Sequence, residues 1–223
     1  MDIASSLFWA GHGSFYIKAK GTTIFIDPYR IGDGIREKAD ILLITHGHFD
    51  HCSKEDIERV VKEDTVIISA PGCDAVKGRR NVRIAEPGFK ETVDGITIEA
   101  VPAYNTDPGK QGYHPRSKRW VGYVIDIDGT KIYHAGDTDF IPEMGELRAR
   151  KLDVALLPVG GTYTMDLDEA IRAAEAIGAR HTVPMHFKNL LGREGSEKAA
   201  EEFRRRVKGA LIMSEVQEPT YGF

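Results

Sequence analysis

Apolar and polar positions along this chain fall into short runs broken by Gly, Pro and Asp. That rhythm predicts strands more often than helices. Leu7–Ala10, Ser14–Lys18 and Thr23–Ile26 read as short strands, the last running into Asp27-Pro28. Ile41–Thr45 is a continuous apolar run, the pattern of a strand buried on both faces. Ser53 has the chemistry of an N-cap, and Lys54–Lys62 then reads as a helix burying Ile57, Val60 and Val61. Strands are predicted again at Thr65–Ala70, Val82–Ala85 and Ile96–Ala103.

A polar loop follows, from about Asn105 to Arg119, and the strand pattern then resumes. Trp120–Ile127 and Lys131–Ala135 predict a hairpin around Asp128-Gly129, a strong turn dipeptide. Asp153–Val159 is another buried strand. Asp166 with Glu169 forms a capping-box variant opening a helix that Gly178 ends. His181–Met185 is a strand, and Ser196–Lys208 a helix with three arginines near its end, where the dipole favours cations. Ala210–Val216 closes the chain. Each half is strand-rich, each carries helices, and no linker divides them. This order suits one α/β domain over residues 1–223, a four-layer αββα sandwich, although periodicity alone leaves the architecture open.

Bulk properties narrow the function. With 223 residues the chain can bury a full core, and 41% apolar with 29% charged residues is ordinary for a globular protein. Thirty basic against 34 acidic side chains give a net charge of −4, which argues against a nucleic-acid partner. The N-terminal stretch Met1–Ala10 has no basic leader region, and no apolar run is long enough for a membrane span. The two cysteines, Cys52 and Cys73, form no CxxC pattern and no disulfide framework. Cys52 reads as a small buried residue and Cys73 as a loop residue without a partner, so a cytoplasmic location is expected. A homo-oligomer is left open.

The chemistry concentrates in Thr45-His46-Gly47-His48-Phe49-Asp50-His51. Residues i and i+2 of an extended segment point the same way, so His46 and His48 can share one metal. Asp50 and His51 point differently and can serve a second. Imidazole with carboxylate suits zinc, manganese or iron rather than calcium. Gly47 permits the backbone turn. Two more candidates stand at strand ends: Asp137, in His134-Ala135-Gly136-Asp137-Thr138, and His186, in Pro184-Met185-His186.

His46-x-His48-x-Asp50-His51, Gly136-Asp137-Thr138 and Pro184-Met185-His186, in that order, resemble the metallo-β-lactamase superfamily. Finer texture resembles its L-ascorbate-6-phosphate lactonase-like branch: Gly11-His12-Gly13-Ser14-Phe15, Ile26-Asp27-Pro28, Tyr133–Thr138, Leu157-Pro158-Val159-Gly160-Gly161 and Met165. The resemblance covers nearly the whole chain and implies the metallo-β-lactamase fold. It implies two divalent metal ions, zinc or manganese. His46 and His48 would bind the first, Asp50, His51 and His186 the second, and Asp137 would bridge them. A water or hydroxide between the metals would be the nucleophile. Asp50 and His134 are then the catalytic candidates, and His12 a support for the ligands. One position departs from the pattern: Asn105 stands where a third histidine for the first metal is expected, and it enters the ligand set as a weaker amide donor. His114 and His134 are the histidines that could replace it.

The expected activity is metal-dependent hydrolysis of an ester-type bond, lactone or phosphodiester. Gly-x-Ser-x-Gly is absent, so no serine nucleophile is called for. The loop Asn105–Arg119 carries Lys110, Arg116, Lys118 and Arg119 against one acid, Asp107. His114, Arg116, Arg119 and Lys188 are therefore candidates for holding an anionic small-molecule substrate. A nuclease, or a non-enzymatic metal-binding or sensor protein on the same fold, are the alternatives.

Overall fold

The computed structural model describes residues 3–216. Met1 and Asp2, part of the stretch read for a leader, lie outside them. The chain forms two units, one from residues 3–85 with 214–216, the other from residues 86–213.

The first unit is a six-stranded mixed sheet, β1 (Leu7–Gly11), β2 (Ser14–Ala19), β3 (Thr22–Ile26), β4 (Ile41–Ile44), β5 (Val66–Ser69) and β6 (Val82–Ile84), in that spatial order. β1 to β3 are antiparallel, and β3 to β6 parallel. All four residues of β4 are buried, as its unbroken apolar run predicts. Helix α1 (Lys54–Val60) covers the sheet face that carries Tyr16, Phe25, Leu42 and Ile44, packing Ile57 and Val60 there. Ser53 caps it, accepting from the Asp56 amide. Asp56 in turn accepts from the Arg30 and Ile31 amides at 2.9 and 3.2 Å, which pins the segment after Asp27-Pro28 to the helix.

The second unit repeats the scheme, antiparallel strands first and parallel strands after. β7 (Lys90–Val93), β8 (Ile96–Pro102), β9 (Val121–Ile127) and β10 (Thr130–His134) are antiparallel, and β11 (Val154–Pro158) and β12 (His181–Met185) continue in parallel. Helix α2 (Leu167–Ile177) lies on β11, with the full Asp166/Glu169 capping box and Gly178 left-handed at its end. A 3-10 segment, Pro142–Arg150, packs on α2.

Helix α3 (Lys188–Arg206) starts before the predicted Ser196, with a break at Gly192, whose φ/ψ of 64° and −178° is not helical. Ser196 lies inside the second segment and donates to the Gly192 carbonyl at 2.5 Å. Ala210–Val216 is not a strand. It contributes only the isolated bridges Thr182 to Ala210 and Trp9 to Glu215. Among the described residues no helix is long and apolar enough to cross a membrane.

The cysteines correct the sequence reading. Cys52 and Cys73 are disulfide-bonded, their Cα atoms 5.6 Å apart. They are 21 residues apart in sequence, but β4 and β5 are parallel neighbours with Ile44 beside Ser69, so the turns that follow both strands leave the same end of the sheet. With the thiols paired, cysteine usage no longer argues for a reducing compartment.

Closing a loop of this length constrains the unfolded chain, a contribution of about 2–4 kcal/mol. Adding dithiothreitol should lower the urea denaturation midpoint accordingly, and the oxidised chain should show no titratable thiol in denaturant. An unchanged midpoint on full reduction would show that the bond contributes nothing.

Candidate metal centre

Each unit carries its own donor set at the ends of its strands. In the first, β4 delivers Thr45 and His46 directly from the sheet, and His48, Asp50 and His51 follow before α1. The neighbouring strand β3 is followed directly by Asp27, which is fully buried.

Asp27 organises this set. Its Oδ1 accepts from the Thr45 amide at 2.8 Å. Its Oδ2 accepts from Thr45 Oγ1 at 2.5 Å and lies 2.8 Å from His51 Nδ1. A carboxylate only accepts, so His51 carries its proton on Nδ1 and offers the Nε2 lone pair. Thr45 Oγ1 spends its hydrogen on Asp27, so it can only accept from His46 Nδ1, 3.0 Å away. His46 is thereby set in the same tautomer, with Nε2 turned toward His48 Nδ1 at 3.1 Å. One ligand atom from each of Asp27, His46 and His51 lies within 4.8 Å of the others, a spacing a metal ion could bridge. His12 Nε2 lies 3.0 Å from Asp50 Oδ2.

Backbone detail serves the same end. A Cβ on Gly47 would stand 2.4 Å from the Gly72 carbonyl oxygen, so glycine is needed there for close approach and not only for turning. A Cβ on Gly13 would stand 2.9 Å from His51 Cε1. His12, Asp27 and His186 all have left-handed φ, at 51°, 46° and 59°. Such a conformation costs an L-residue about 1–2 kcal/mol, a strain that these three positions carry while holding their side chains in place.

In the second unit Asp137 follows β10, and its Oδ2 lies 3.3 Å from His114 Nε2 and 3.2 Å from His186 Nε2. All three side chains are buried. His134 is also buried, and its Nδ1 accepts from the Gly136 amide at 3.1 Å, which ties it into the turn presenting Asp137. The donor types of both sets, imidazole nitrogen and carboxylate oxygen, fit zinc, manganese or iron.

Asn105 does not behave as the expected ligand. Its Oδ1 accepts from the His114 amide at 3.0 Å and faces His114 Nδ1 at 2.8 Å. Its Nδ2 donates to Asp139 Oδ1 and to the Tyr163 carbonyl, both at 2.9 Å. The four hydrogen-bonding positions of the amide are used, which leaves no lone pair for a metal. His114, assigned from sequence to substrate, is instead the histidine that reaches Asp137.

The basic loop is bound up in ion pairs. Lys110 donates to the Thr164 carbonyl at 2.8 Å and pairs with Glu169 at 3.3 Å. Arg119 pairs with Glu86 at 2.8 Å, and Arg116 with Glu143 at 3.1 Å. The Arg116 guanidinium also lies 4.9 Å over the Tyr104 ring. Burial, then the hydrogen bond to Glu143 and its charge, raise the Tyr104 phenol above its ordinary pKa. Lys188 opens α3 two residues after His186 and is half-buried.

Sequence reading named Asp27 only as part of a motif and passed over Thr45 and Asp139. The signal for the first two was available: an acid ending one strand, beside a strand that ends in Thr-His.

Comparison with known proteins is consistent with this chemistry. Residues 6–186 match the family model of the beta-lactamase superfamily domain. A protein of Alkaliphilus metalliredigens named UPF0173 metal-dependent hydrolase is 34% identical, over 96% of this chain and 98% of its own. A solved structure from Parabacteroides distasonis is 34% identical with TM-score 0.79, covering 94% of this chain and 92% of its own. Igni18, a novel metallo hydrolase from the hyperthermophilic archaeon Ignicoccus hospitalis, is 27% identical with TM-score 0.74, covering 96% of each chain.

Asp27→Asn tests the hub. An amide in that place must set one donor against Thr45 or His51. We expect metal affinity to fall about 10–100-fold, the usual effect of removing a partner behind a ligand, with the circular dichroism spectrum unchanged. Parent-like affinity by competition with a chelating dye would remove Asp27 from this role.

Proposed function

The chain belongs to the beta-lactamase superfamily and is a metal-dependent hydrolase of the metallo-β-lactamase fold, and we propose that it cleaves an ester-type bond, lactone or phosphodiester, in a small anionic substrate. In this proposal His46, His48, Asp50 and His51 are the ligands of the first unit and Asp137 and His186 those of the second, and the ions are two and divalent, zinc or manganese. The observation that carries it is the Asp27 hub: a fully buried carboxylate that orients two imidazoles, one directly and one through Thr45, so that both offer Nε2. A histidine-rich surface loop has no use for a buried acid that fixes ring tautomers.

Divalent metal held by such ligands supplies polarisation of the scissile bond and an activated water at neutral pH. The chain's own part is to hold the ligands still. Asp27 and Thr45 keep His51 and His46 in one tautomer, and His12 holds Asp50. His134 Nδ1 accepts from the Gly136 amide, so this catalytic candidate also supports the turn that presents Asp137. An anionic substrate would displace Glu143 and Glu86 from Arg116 and Arg119. Exposed ion pairs are worth only about 0–1 kcal/mol, so this exchange is cheap.

The test is metal analysis of the purified protein, followed by turnover of lactones, phosphodiesters and phosphorylated esters before and after chelation. Two equivalents of metal and activity that is lost on chelation and restored by zinc or manganese are expected. Asp50→Ala should lose turnover while remaining folded. No metal-dependent turnover of any of these classes would reject the substrate proposal.

For charge selection, matched phosphorylated and unphosphorylated substrates should be separated by the parent and not by Arg116→Ala with Arg119→Ala. The same preference in both proteins would exclude these arginines from the substrate.

A further inference from the structure

We infer that Asp139 and Asn105 form a relay that fixes the tautomer of His114 and so makes His114 a metal ligand, with Asn105 as a positioning residue. The inference rests on the metal-dependent reading of the site.

The argument needs only donors and acceptors whose identity is certain. The backbone N–H of His114 is a donor and meets Asn105 Oδ1 at 3.0 Å. The Asp139 carboxylate and the Tyr163 carbonyl are acceptors, and both meet Asn105 Nδ2 at 2.9 Å. Turning the amide over would oppose a donor to a donor and acceptors to an acceptor, so one orientation survives. Oδ1 therefore faces His114 Nδ1 at 2.8 Å, and since Oδ1 only accepts, Nδ1 carries the hydrogen. In the neutral ring Nε2 is then the lone-pair nitrogen, and it is the nitrogen that lies 3.3 Å from Asp137 Oδ2.

Asp139 is held as firmly as it holds. It is fully buried, and its Oδ2 accepts from the Thr106 and Asp107 amides at 2.8 and 2.9 Å. Lys110 Nζ lies 3.7 Å from Oδ1 and is itself fixed by the Thr164 carbonyl. Lys110, one of the basic residues of the loop, is the counter-ion of this relay. The substitution of Asn for the expected His is thereby explained: the imidazole comes from nine residues further on, and the amide stands behind it.

Two measurements decide the matter. Long-range proton–nitrogen correlation on nitrogen-15-labelled, metal-free parent should show His114 with its hydrogen on Nδ1, whether or not Nε2 is also protonated. The Nε2–H tautomer would overturn the relay, whatever the protein binds.

Zinc titration of parent, Asn105→Ala, His114→Ala and the double variant forms the second arm. His114→Ala should lose the affinity of one site. Asn105→Ala should keep the stoichiometry with affinity about 10–100-fold lower, and the double variant should match His114→Ala. Loss of a site in Asn105→Ala with none in His114→Ala would make Asn105 the ligand and overturn the inference, as would parent-like zinc affinity in both single variants. If the parent binds no divalent metal, the proposed function falls, and the relay then stands or falls on the tautomer alone.

Discussion

A buried carboxylate that must find donors is the constraint on which the first unit's site depends. Asp27 directly follows β3 with no exposure, and an acid in that position is costly unless its oxygens are satisfied. Its partners are the Thr45 amide, the Thr45 hydroxyl and His51 Nδ1. Each of these bonds also settles something else: where β4 ends, which way the His46 ring is protonated, and how His51 leaves the turn. The cost of burying the charge and the order of the ligands are one term. Removing either partner leaves the other unsatisfied, which is why such pairs persist.

The second unit solves the same problem with different residues. There Asp139 is the buried acid, Asn105 takes the intermediate position that Thr45 holds in the first unit, and His114 is the ring whose tautomer results. A hydroxyl passes the constraint by having one hydrogen to give. An amide passes it by having unlike ends. In both, an acceptor-only group at the far end removes the freedom of the chain of bonds, and the imidazole nitrogen remote from it is left with its lone pair.

Much of this was legible in the sequence, for identifiable reasons. β4 and β11 are continuous apolar runs, and the Asp128-Gly129 turn and the Asp166/Glu169 box are local signals that need no tertiary context. His46, His48, Asp50 and His51 are dense enough to stand out by composition. What escaped depends on contacts remote in sequence. β7 is an edge strand with one buried residue, so it has little apolar pattern, although Asp94-Gly95 is the same turn signal that marked the later hairpin. The helix break at Gly192 was read past because Ser196 resembles a cap. The cysteine pair spans two turns that meet only because β4 and β5 are parallel neighbours. Asn105 was placed by a family pattern, and the pattern cannot show that its amide is already saturated.

The segment from His46 to His51 has no regular secondary structure of its own, so something must hold it if its ligands are to keep their geometry. Three constraints do so, all within the first unit. Asp27 grips its start and its end through Thr45 and His51. The Gly72 carbonyl closes on Gly47, where any side chain would be excluded. The bond from Cys52 to Cys73 joins the residue after His51 to the same neighbouring turn. Small metallo-domains without such supports fold only when metal arrives, and metal binding then supplies their folding energy. Here the scaffold carries the cost of order in advance, including the left-handed backbone of His12 and Asp27. Metal should therefore meet a site already shaped, and its binding should add to the stability of a chain that is folded without it, in proportion to the logarithm of free metal over Kd.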